Sequence, residues 1–415
     1  MLLYDHHVHA FGCLHPEDLW LYFHQIGRDR RAALDWYARS YEVAFSEKPQ
    51  WEDWLSLNKL DDFSKFYLCQ APLSFAQFQA KFNLIIALCD LGPRSMDLLE
   101  IAMDRHAREG LRQVEYRFPV PVRFSQVEMY AYLERVSDLL HKVNETHGAS
   151  FTATAAFTLA REIMWYPLHY SWLKDWMKKH PKKSLFFTAI DFAYFEENDE
   201  ILEKKAFFSQ IKEDNLQNPE LALAILVHAG ETFETIPAGL SMLRVLEAAR
   251  LGVDRIGHGS VLGFEFTENL PRTQNLITSD EGLQGIQTRM KAHGLNWDIK
   301  IKDQTILEDL PMLKSLQEQV LGLIKKTGVT FEHCPSSSRL LSGSPQSTLG
   351  TFLKHKINTV IASDDPGIFN TTLHHELSLA RDLFPELDPE NLNHLAHTVR
   401  SEVLSGKVKV HSRLC

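Results

Sequence analysis

The sequence has 415 residues, and its 44 lysines and arginines against 54 aspartates and glutamates give a net charge of −10 with neutral histidines. This balance disfavours nucleic-acid binding as the main function, because phosphate backbones are held by positively charged surfaces. The content of 44% hydrophobic and 24% charged residues is near the globular average and excludes a disordered chain. Length alone does not decide between about three domains and one long α/β barrel.

Five cysteines are spread along the chain without any C-x-x-C spacing. They are Cys13, Cys69, Cys89, Cys334 and Cys415. This distribution disfavours a disulfide framework and predicts a reducing, cytoplasmic location. It also excludes zinc ribbons and the nucleobase deaminases that hold zinc with a P-C-x-x-C element.

The apolar stretches of the sequence are too short to predict a membrane partner. The longest, such as 221–227, fall far below the roughly 20 residues that span a bilayer. The N-terminal sequence MLLYDHHVHAFG has no basic segment and turns polar at Asp5, unlike a signal peptide. We therefore expect no transmembrane helix and no signal peptide.

Eight short, apolar, β-rich segments recur along the chain and end in polar or glycine residues. The predicted strands are Leu2 to His9, Gln113 to Phe118, Ser150 to Phe157, Leu185 to Phe192, Leu223 to His228, Arg255 to Gly259, Val329 to His333 and Thr359 to Ser363. Segments with apolar residues at helical spacing, such as 129–143 and 238–251, lie between them. This alternation predicts a single (β/α)8 TIM barrel over residues 1–415, with polar chemistry at the carboxyl ends of the strands.

Two connections are too long for a simple link from strand to helix. The first follows the first strand and carries an aromatic-rich region at about 20–90, and the second, at 261–328, joins a polar stretch to a helical one after the sixth strand. Long ordered insertions are usually lids, binding loops or contact surfaces. We expect a lid region in the first, and either could support an oligomer.

The first predicted strand ends in the sequence HVH at 7–9. Side chains two residues apart on a strand share a face, so His7 and His9 can point into the barrel mouth and hold one metal ion together. An isolated H-x-H pair is more often structural than ligating. His6 faces the other way and is expected to be structural.

Polar residues also follow the fifth and sixth predicted strands. In HAGE at 228–231 a histidine leaves a buried strand, a glycine lets the backbone turn and a carboxylate follows, which favours a functional site over a core position. In GHG at 257–259 the glycines remove bulk beside an imidazole. Taken alone, that pattern fits a turn as well as a catalytic histidine.

The eighth predicted strand leads into SDDP at 363–366. Adjacent carboxylates at a barrel mouth repel unless a cation or a substrate donor lies between them, although a helix N-cap is the plainer alternative. Four such motifs at the ends of the first, fifth, sixth and eighth strands converge on one mouth. Three imidazoles and one carboxylate with an open position suit one zinc ion, and Fe²⁺ or Co²⁺ would fit the same ligand types.

With these motifs the sequence resembles the adenosine deaminase branch of the metal-dependent amidohydrolases. The matching segments are HVH at 7–9, VEYRFP at 114–119, HAGE at 228–231, RIGHG at 255–259, EHCPSSS at 332–338 and SDDP at 363–366. The resemblance implies metal ligands His7, His9, His228 and Asp364, the last also catalytic. It further implies that Glu231 protonates the purine ring, that His258 orients and helps deprotonate the metal water, and that Asp365 contacts the base. The implied reaction consumes an aminopurine and water and releases ammonia.

Four further residues resemble the helical lid of that family, namely Phe75, Phe78, Gln79 and Phe82. Their spacing is equally typical of a plain amphipathic helix packed on the barrel. Gln79 stands where the family prefers an apolar residue.

Two departures from the family pattern concern the substrate. Phe11 stands where the family has an aspartate that contacts the ribose, and Tyr194 stands where it has a glycine whose backbone meets the purine. We therefore expect weak activity on adenosine and a preference for a related aminopurine, whether free base, nucleoside or nucleotide.

Two alternatives stay open from the sequence. One is a mononuclear amidohydrolase acting on a non-purine substrate; a second metal is disfavoured because the fourth strand does not end in the lysine that bridges two ions. The other is a catalytically silent barrel that binds a partner or forms an oligomer through its insertions. Metal analysis with an assay for ammonia release distinguishes them.

Overall fold

Eight parallel strands form the central sheet of the protein. The computed structural model describes residues 3–56, 59–196, 200–231, 236–266, 280–297, 300–302, 305–341 and 345–385. The barrel strands are β1 (Leu3–His9), β2 (Leu111–Pro119), β3 (Thr152–Leu159), β4 (Phe187–Phe192), β5 (Ala224–Ala229), β6 (Arg255–His258), β9 (Thr330–His333) and β10 (Asn358–Ile361), paired in that order. A parallel bridge between Val8 and Asp364 joins the last strand to the first. The predicted (β/α)8 barrel is confirmed.

The predicted strand boundaries needed small corrections. Ser150 lies in a 3-10 turn (Gly148–Ser150) that precedes β3, which runs on to Leu159. Gly259 lies beyond β6 because its φ of 64° is left-handed, and β10 ends at Ile361, before the predicted Ser363. Leu2 is outside the described residues.

Helices cover the outside of the barrel and fill the two long connections. They are α1 (Pro16–Ile26), α2 (Arg31–Phe45), α3 (Leu60–Tyr67), α4 (Phe75–Leu88), α5 (Pro93–Arg108), α6 (Gln126–His147), α7 (Tyr166–Lys179), α8 (Lys205–Gln217), α9 (Ala238–Arg250), α10 (Asp280–Ala292), α11 (Leu310–Thr327), α12 (Pro335–Leu341), α13 (Pro345–His355) and α14 (Leu373–Leu383). Capping boxes stabilise the N-termini of two of these helices. Ser125 and Glu128 form the one at α6, and Ser74 and Gln77 form the one at α4. Among the described residues, no helix combines the length and the apolar composition that crossing a membrane requires.

The connection between β1 and β2 is a helical layer, α1 to α5, with its own aromatic core. The Trp54 ring lies 5.3 Å from that of Phe63, and the Trp20 ring lies 5.4 Å from the same phenylalanine. Backbone bonds tie the segment before α4 to the carboxyl end of the barrel, since the Cys69 N–H donates to the Ile368 carbonyl over 2.9 Å. These contacts place α4 beside the mouth.

The connection between β6 and β9 contains α10, a short antiparallel pair β7 (Lys300–Lys302) and β8 (Thr305–Leu307), and α11. The Gln317 amide of α11 donates to the carbonyls of Val261 and Phe264 over 3.0 and 2.9 Å, so α11 is held to the chain that leaves β6. Residues 267–279 of the predicted insertion 261–328 lie outside the described part of the chain.

Candidate active site

Four side chains at the carboxyl ends of the strands bring one polar atom each to a common point. His7 Nε2 lies 3.1 Å from His228 Nε2 and 3.3 Å from Asp364 Oδ1. His9 Nε2 lies 3.2 Å from His228 Nε2 and 3.4 Å from Asp364 Oδ1. Ligand atoms around a tetrahedral zinc ion, with bonds of about 2.0–2.1 Å, lie roughly 3.3–3.4 Å from each other. These four residues, called here the ligand cluster, therefore fit one small divalent ion.

The backbone fixes the ligand cluster in place. The His9 N–H donates to the Asp364 carbonyl, and the Asp364 N–H donates to the His7 carbonyl, both over 2.8 Å. Asp364 adopts a left-handed φ of 65°, and His258 adopts one of 66°. A non-glycine residue in this region costs on the order of 1–3 kcal/mol and is concentrated at functional sites. Both strained residues, Asp364 and His258, are predicted site residues.

The outer nitrogens of two cluster histidines face buried carboxylates. His228 Nδ1 lies 3.2 Å from Asp191 Oδ1, and His7 Nδ1 lies 3.1 Å from Glu332 Oε2. Arg117 stands between these acids, 3.0 Å from Asp191 Oδ1 and ion-paired with Glu332. Burial raises the pKa of each carboxyl, but Arg117 outweighs it and holds both pKa values well below their ordinary range. Ionised partners of this kind orient metal-binding imidazoles and raise their basicity.

The charged interior of the barrel was not assigned a role from the sequence. Arg255 Nη1 lies 2.7 Å from Glu332 Oε1, and Arg255 is also ion-paired with Glu115. Each arginine has a small or apolar register partner on one neighbouring strand, since Arg117 lies opposite Ala156 and Arg255 lies opposite Leu226. The available signal was the presence of charged residues inside otherwise apolar strands, where an unpaired charge would be costly.

The largely buried Glu231 lies next to the buried His258 beside the ligand cluster. The distance from His258 Nε2 to Glu231 Oε1 is 3.5 Å. Burial, reinforced by the carboxylates of Asp364 and Glu196, raises the pKa of Glu231 well above its ordinary value. Burial also lowers the pKa of His258 well below its ordinary value. A protonated carboxyl and a neutral imidazole can donate and accept a proton, respectively.

The glycines around His258 are required by contacts. A side chain at Gly259 would bring its Cβ within 2.5 Å of the Phe331 ring, and one at Gly257 would lie 3.0 Å from the His7 ring. The glycines therefore allow the chain to turn here while His258 packs close to the ligand cluster, and a catalytic role for His258 stays a prediction.

Asp365 lies beside the cluster with an unused acceptor. Its Oδ1 is buried and accepts no hydrogen bond within the described parts of the chain. The carboxylate packs on Gly12, where an added Cβ would lie 1.6 Å from Oδ1. Burial and the nearby Asp364 and Glu231 raise the pKa of Asp365 well above its ordinary value. Because an unpaired buried acceptor costs free energy, this oxygen is suited to a donor on a bound ligand.

Helix α4 meets the loops of the barrel mouth through aromatic rings. Phe75 lies edge-on to Phe195 with ring centroids 5.1 Å apart, and Phe78 stacks on Phe369 at 5.5 Å. Phe195 follows β4 and Phe369 follows β10. Together the four residues Phe75, Phe78, Phe195 and Phe369 are called here the aromatic wall. The helix thus spans two loops beside the ligand cluster.

The other two residues of the predicted lid have different partners. The Gln79 amide donates to Asn83 Oδ1 over 3.1 Å, and Asn83 in turn donates to the Ser40 hydroxyl of α2 over 3.2 Å. Phe82 is partly buried, with its ring 5.9 Å from that of Phe78. Gln79 is therefore hydrogen-bonded toward the helical layer, and Phe82 packs against Phe78 of the aromatic wall.

Phe11 and Tyr194 occupy different environments. Phe11 is 4% exposed and belongs to the main hydrophobic core. Tyr194 is 43% exposed and has a left-handed φ of 74°, a conformation that a glycine adopts without strain.

Comparison with known proteins places the chain among deaminases. A family model described as adenosine deaminase matches residues 57–411, a range that begins after His7 and His9. No curated protein matches the chain.

Several solved structures share the fold. Adenine deaminase from Arthrobacter aurescens is 14% identical, with a TM-score of 0.56 over 97% of this chain and 96% of its own. Arabidopsis ADAL complexed with IMP is 14% identical, with a TM-score of 0.61 over 100% and 97%. An amidohydrolase from Burkholderia ambifaria with bound Zn is 11% identical, with a TM-score of 0.55 over 99% and 90%.

Proposed function

The chain belongs to the adenosine deaminase family, and on that premise we propose that it is a metal-dependent hydrolytic deaminase of an adenine-type nucleoside, nucleotide or related aminopurine. The observation that carries this proposal is the convergence of four ligand atoms beside the Glu231–His258 pair: the Nε2 atoms of His7 and His9 each lie 3.1–3.4 Å from His228 Nε2 and from Asp364 Oδ1. Such an arrangement supplies a metal, an acid and a base around one point. The products are the corresponding oxopurine and ammonia.

His7, His9, His228 and Asp364 are the proposed ligands of one divalent ion. Three nitrogens and one oxygen are typical of zinc, and Fe²⁺ or Co²⁺ accepts the same ligand types. When bound, such an ion lowers the pKa of a water molecule, so that a hydroxide nucleophile is available near neutral pH. The zinc found in the Burkholderia ambifaria amidohydrolase supports zinc as the first choice.

The protein residues supply the proton transfers. Glu231, whose pKa is raised by burial, donates a proton to the ring nitrogen next to the amine-bearing carbon, which makes that carbon electrophilic. His258 accepts the proton that water releases as its oxygen bonds to that carbon. His258 then delivers this proton to the exocyclic nitrogen, the carbon–nitrogen bond breaks, and ammonia leaves. The proton left on the new hydroxyl group returns to the Glu231 carboxylate as the carbonyl of the oxopurine forms, which restores the acid. Asp365 contacts the base and holds it in place for these steps.

The substrate preference is the finer part of the proposal. Phe11 and Tyr194 replace the aspartate and glycine that contact ribose and purine in the family pattern. We therefore assign the enzyme low activity on adenosine and a preference for another aminopurine. The similar folds include an adenine deaminase and a protein complexed with IMP, so both a free base and a nucleoside monophosphate belong among the compounds to test.

Ammonia release from a panel of aminopurine bases, nucleosides and nucleotides tests the function. The expected result is turnover of at least one compound by protein that contains one metal equivalent. Metal-loaded protein that releases no ammonia from any of them would overturn the proposal. In that case, hydrolysis of a non-purine amide or lactone would identify an amidohydrolase of another kind, and inactivity on those compounds would identify a silent barrel.

A further inference from the structure

The turn that carries Glu231 is held by a buried carboxylate from another loop. Glu196 is 2% exposed and follows β4, whereas the turn follows β5. Its Oε2 accepts the Gly230 N–H over 2.8 Å, and its Oε1 accepts the Glu231 N–H over 2.9 Å. Two successive backbone N–H groups that converge on one anion form a strong, directional pair of charge-assisted bonds. One side chain therefore fixes the backbone of the proposed acid.

The residues that follow β6 bind the carbonyls of this turn, and its two N–H groups donate to Glu196. The carbonyls of the turn are satisfied on the other side, because the Gly259 N–H donates to Ala229 O over 3.0 Å and the Val261 N–H donates to Gly230 O over 2.9 Å. Gly230 has a left-handed φ of 73°, which turns the chain away from the ladder of β5. A buried N–H without an acceptor costs about 1–3 kcal/mol, so the turn needs a partner at this position.

A residue of helix α9, Arg244, holds Glu196 in place. Arg244 Nη1 donates to the Glu196 carbonyl over 2.5 Å, and Arg244 Nη2 donates to Glu200 Oε1 over 3.0 Å. Arg244 itself is 5% exposed. The Arg244 guanidinium thus contacts both Glu196 and Glu200.

The second insertion reaches the same network through α10. Arg289 Nη1 donates to Glu200 Oε2 over 2.6 Å, and its other nitrogens contact both carboxylate oxygens of Glu247 on α9 at 3.0 and 2.5 Å. A continuous chain of hydrogen bonds therefore runs from Arg289 through Glu200, Arg244 and Glu196 to Glu231.

We propose that Glu196 is a positioning residue for proton transfer by Glu231, and that α10 of the second insertion braces it through Arg289, Glu200 and Arg244. The inference rests on the proposed function, in which Glu231 is the acid. It assigns a role to an insertion that barrel closure itself does not require. A general acid acts only within hydrogen-bond reach of the atom that it protonates, so loosening the turn that carries Glu231 is expected to reduce turnover.

The direct test is the Glu196→Gln variant, which keeps the shape but replaces one acceptor oxygen with a donor group. We expect kcat to fall by about 10- to 100-fold, in keeping with the roughly 100-fold cost of a small misplacement of a reacting group, while KM and metal content stay near wild type. Metal loss, or an unchanged kcat, would overturn the inference.

Glu308→Gln is the matched control. Glu308 also accepts two successive backbone N–H groups, those of Ala238 and Gly239, each over 2.8 Å, but at the start of α9 and not at the turn of Glu231. This variant removes the same kind of interaction, and we expect its kcat to stay near wild type. An equal fall in kcat in both variants would show a general effect on stability and would contradict positioning.

A double variant separates positioning from an independent role. If Glu196 acts through Glu231, then Glu196→Gln added to Glu231→Gln reduces the residual rate no further. A further fall of the same size as in the single variant would contradict this. Arg289→Gln, at the far end of the network, provides a test that leaves Glu196 intact, and we expect a smaller fall in kcat than for Glu196→Gln.

Hydrogen–deuterium exchange gives a readout that does not depend on activity. The peptide that contains residues 228–231 should exchange faster in Glu196→Gln than in wild type or in Glu308→Gln, because its N–H groups lose their acceptor. Unchanged exchange overturns the inference even if the wild type proves active. If the wild type releases no ammonia from any compound, the proposed function fails, and the exchange result still decides whether Glu196 holds the turn.

Discussion

The ligand cluster and the aromatic wall lie at the same mouth but are built differently. Backbone hydrogen bonds of 2.8 Å between residues 7, 9 and 364, together with buried carboxylates behind the imidazoles, hold the ligand cluster. The aromatic wall is held by ring contacts of 5.1 and 5.5 Å between an insertion helix and two loops. The ligand cluster is thus fixed by the strand ends, whereas the aromatic wall, the proposed substrate-contacting surface, depends on segments whose length and sequence can vary without altering the barrel.

Removal of the metal is expected to have the largest effect, since every proposed chemical role depends on the ligand cluster. Chelation should abolish ammonia release, and one equivalent of zinc should restore it. The midpoint temperature of thermal unfolding should fall as well, because a ligand present at 1,000 times its Kd stabilises the folded state by about 4 kcal/mol. Elemental analysis that finds two equivalents, both needed for activity, would contradict a single site.

The Glu231→Gln substitution ranks next. It removes a proton donor and leaves the four proposed ligands in place, so turnover should fall by about 10²- to 10⁴-fold with metal content near wild type. Parallel measurement of kcat and bound metal checks this. Loss of metal from the variant would mean that Glu231 is a ligand and that its role has been misassigned.

Substitutions at Phe11 and Tyr194 test the proposed substrate preference. Phe11→Asp combined with Tyr194→Gly should raise kcat/KM for adenosine by roughly 5- to 150-fold, the equivalent of restoring a contact worth about 1–3 kcal/mol. Efficient turnover of adenosine by the wild type, near 10⁷ per molar per second or above on the usual range of about 10⁴ to 10⁸, would contradict the proposed preference.

The two single variants should differ in stability. Tyr194 is 43% exposed in a left-handed conformation, so glycine is well tolerated there. Phe11 is 4% exposed in the main core, so a buried aspartate should lower the midpoint of thermal unfolding. A melting curve of each variant is therefore the necessary control for the adenosine assay.

The smallest expected effect concerns stability away from the ligand cluster. Glu376 accepts the Ser336 N–H after β9 over 2.8 Å and a bond from the Thr371 hydroxyl after β10. Burial raises its pKa to about 7, above the ordinary value of 4.5. The folded state therefore holds this proton more tightly than the unfolded state, and stability declines as the pH rises between these two values.

The measurement is chemical denaturation at several pH values. The Glu376 contribution to the unfolding free energy should fall by about 1 kcal/mol per pH unit between pH 5 and pH 7, and Glu376→Gln should abolish this slope. The kcat of that variant should match wild type. A slope unchanged by the substitution would assign the pH dependence to other groups.

The residues behind the ligand cluster show where sequence reasoning stopped. His7, His9 and His228 could be placed at one mouth because each follows a recognisable strand, and parallel strands in a closed barrel present their carboxyl ends on one side. Arg117, Asp191, Glu332 and Glu196 could not be assigned, although each is a charged residue in or beside an apolar strand. Their roles depend on pairs separated by 74 positions for Arg117–Asp191 and 35 for Glu196–Glu231, which no local pattern encodes.

The sequence by itself determined the barrel and the positions of its polar strand ends, because strand periodicity and the break from apolar to polar residues are local properties. It also indicated that α4 would be a helix, through the helical spacing of Phe75, Phe78, Gln79 and Phe82. Only the tertiary structure decided which groups the polar residues at the strand ends contact. These contacts are the 3.1–3.4 Å distances within the ligand cluster, the packing of Asp365 on Gly12, and the hydrogen bond from the Glu231 N–H to Glu196. These depend on barrel closure and on how insertions pack, and both are set by contacts between segments far apart in the chain.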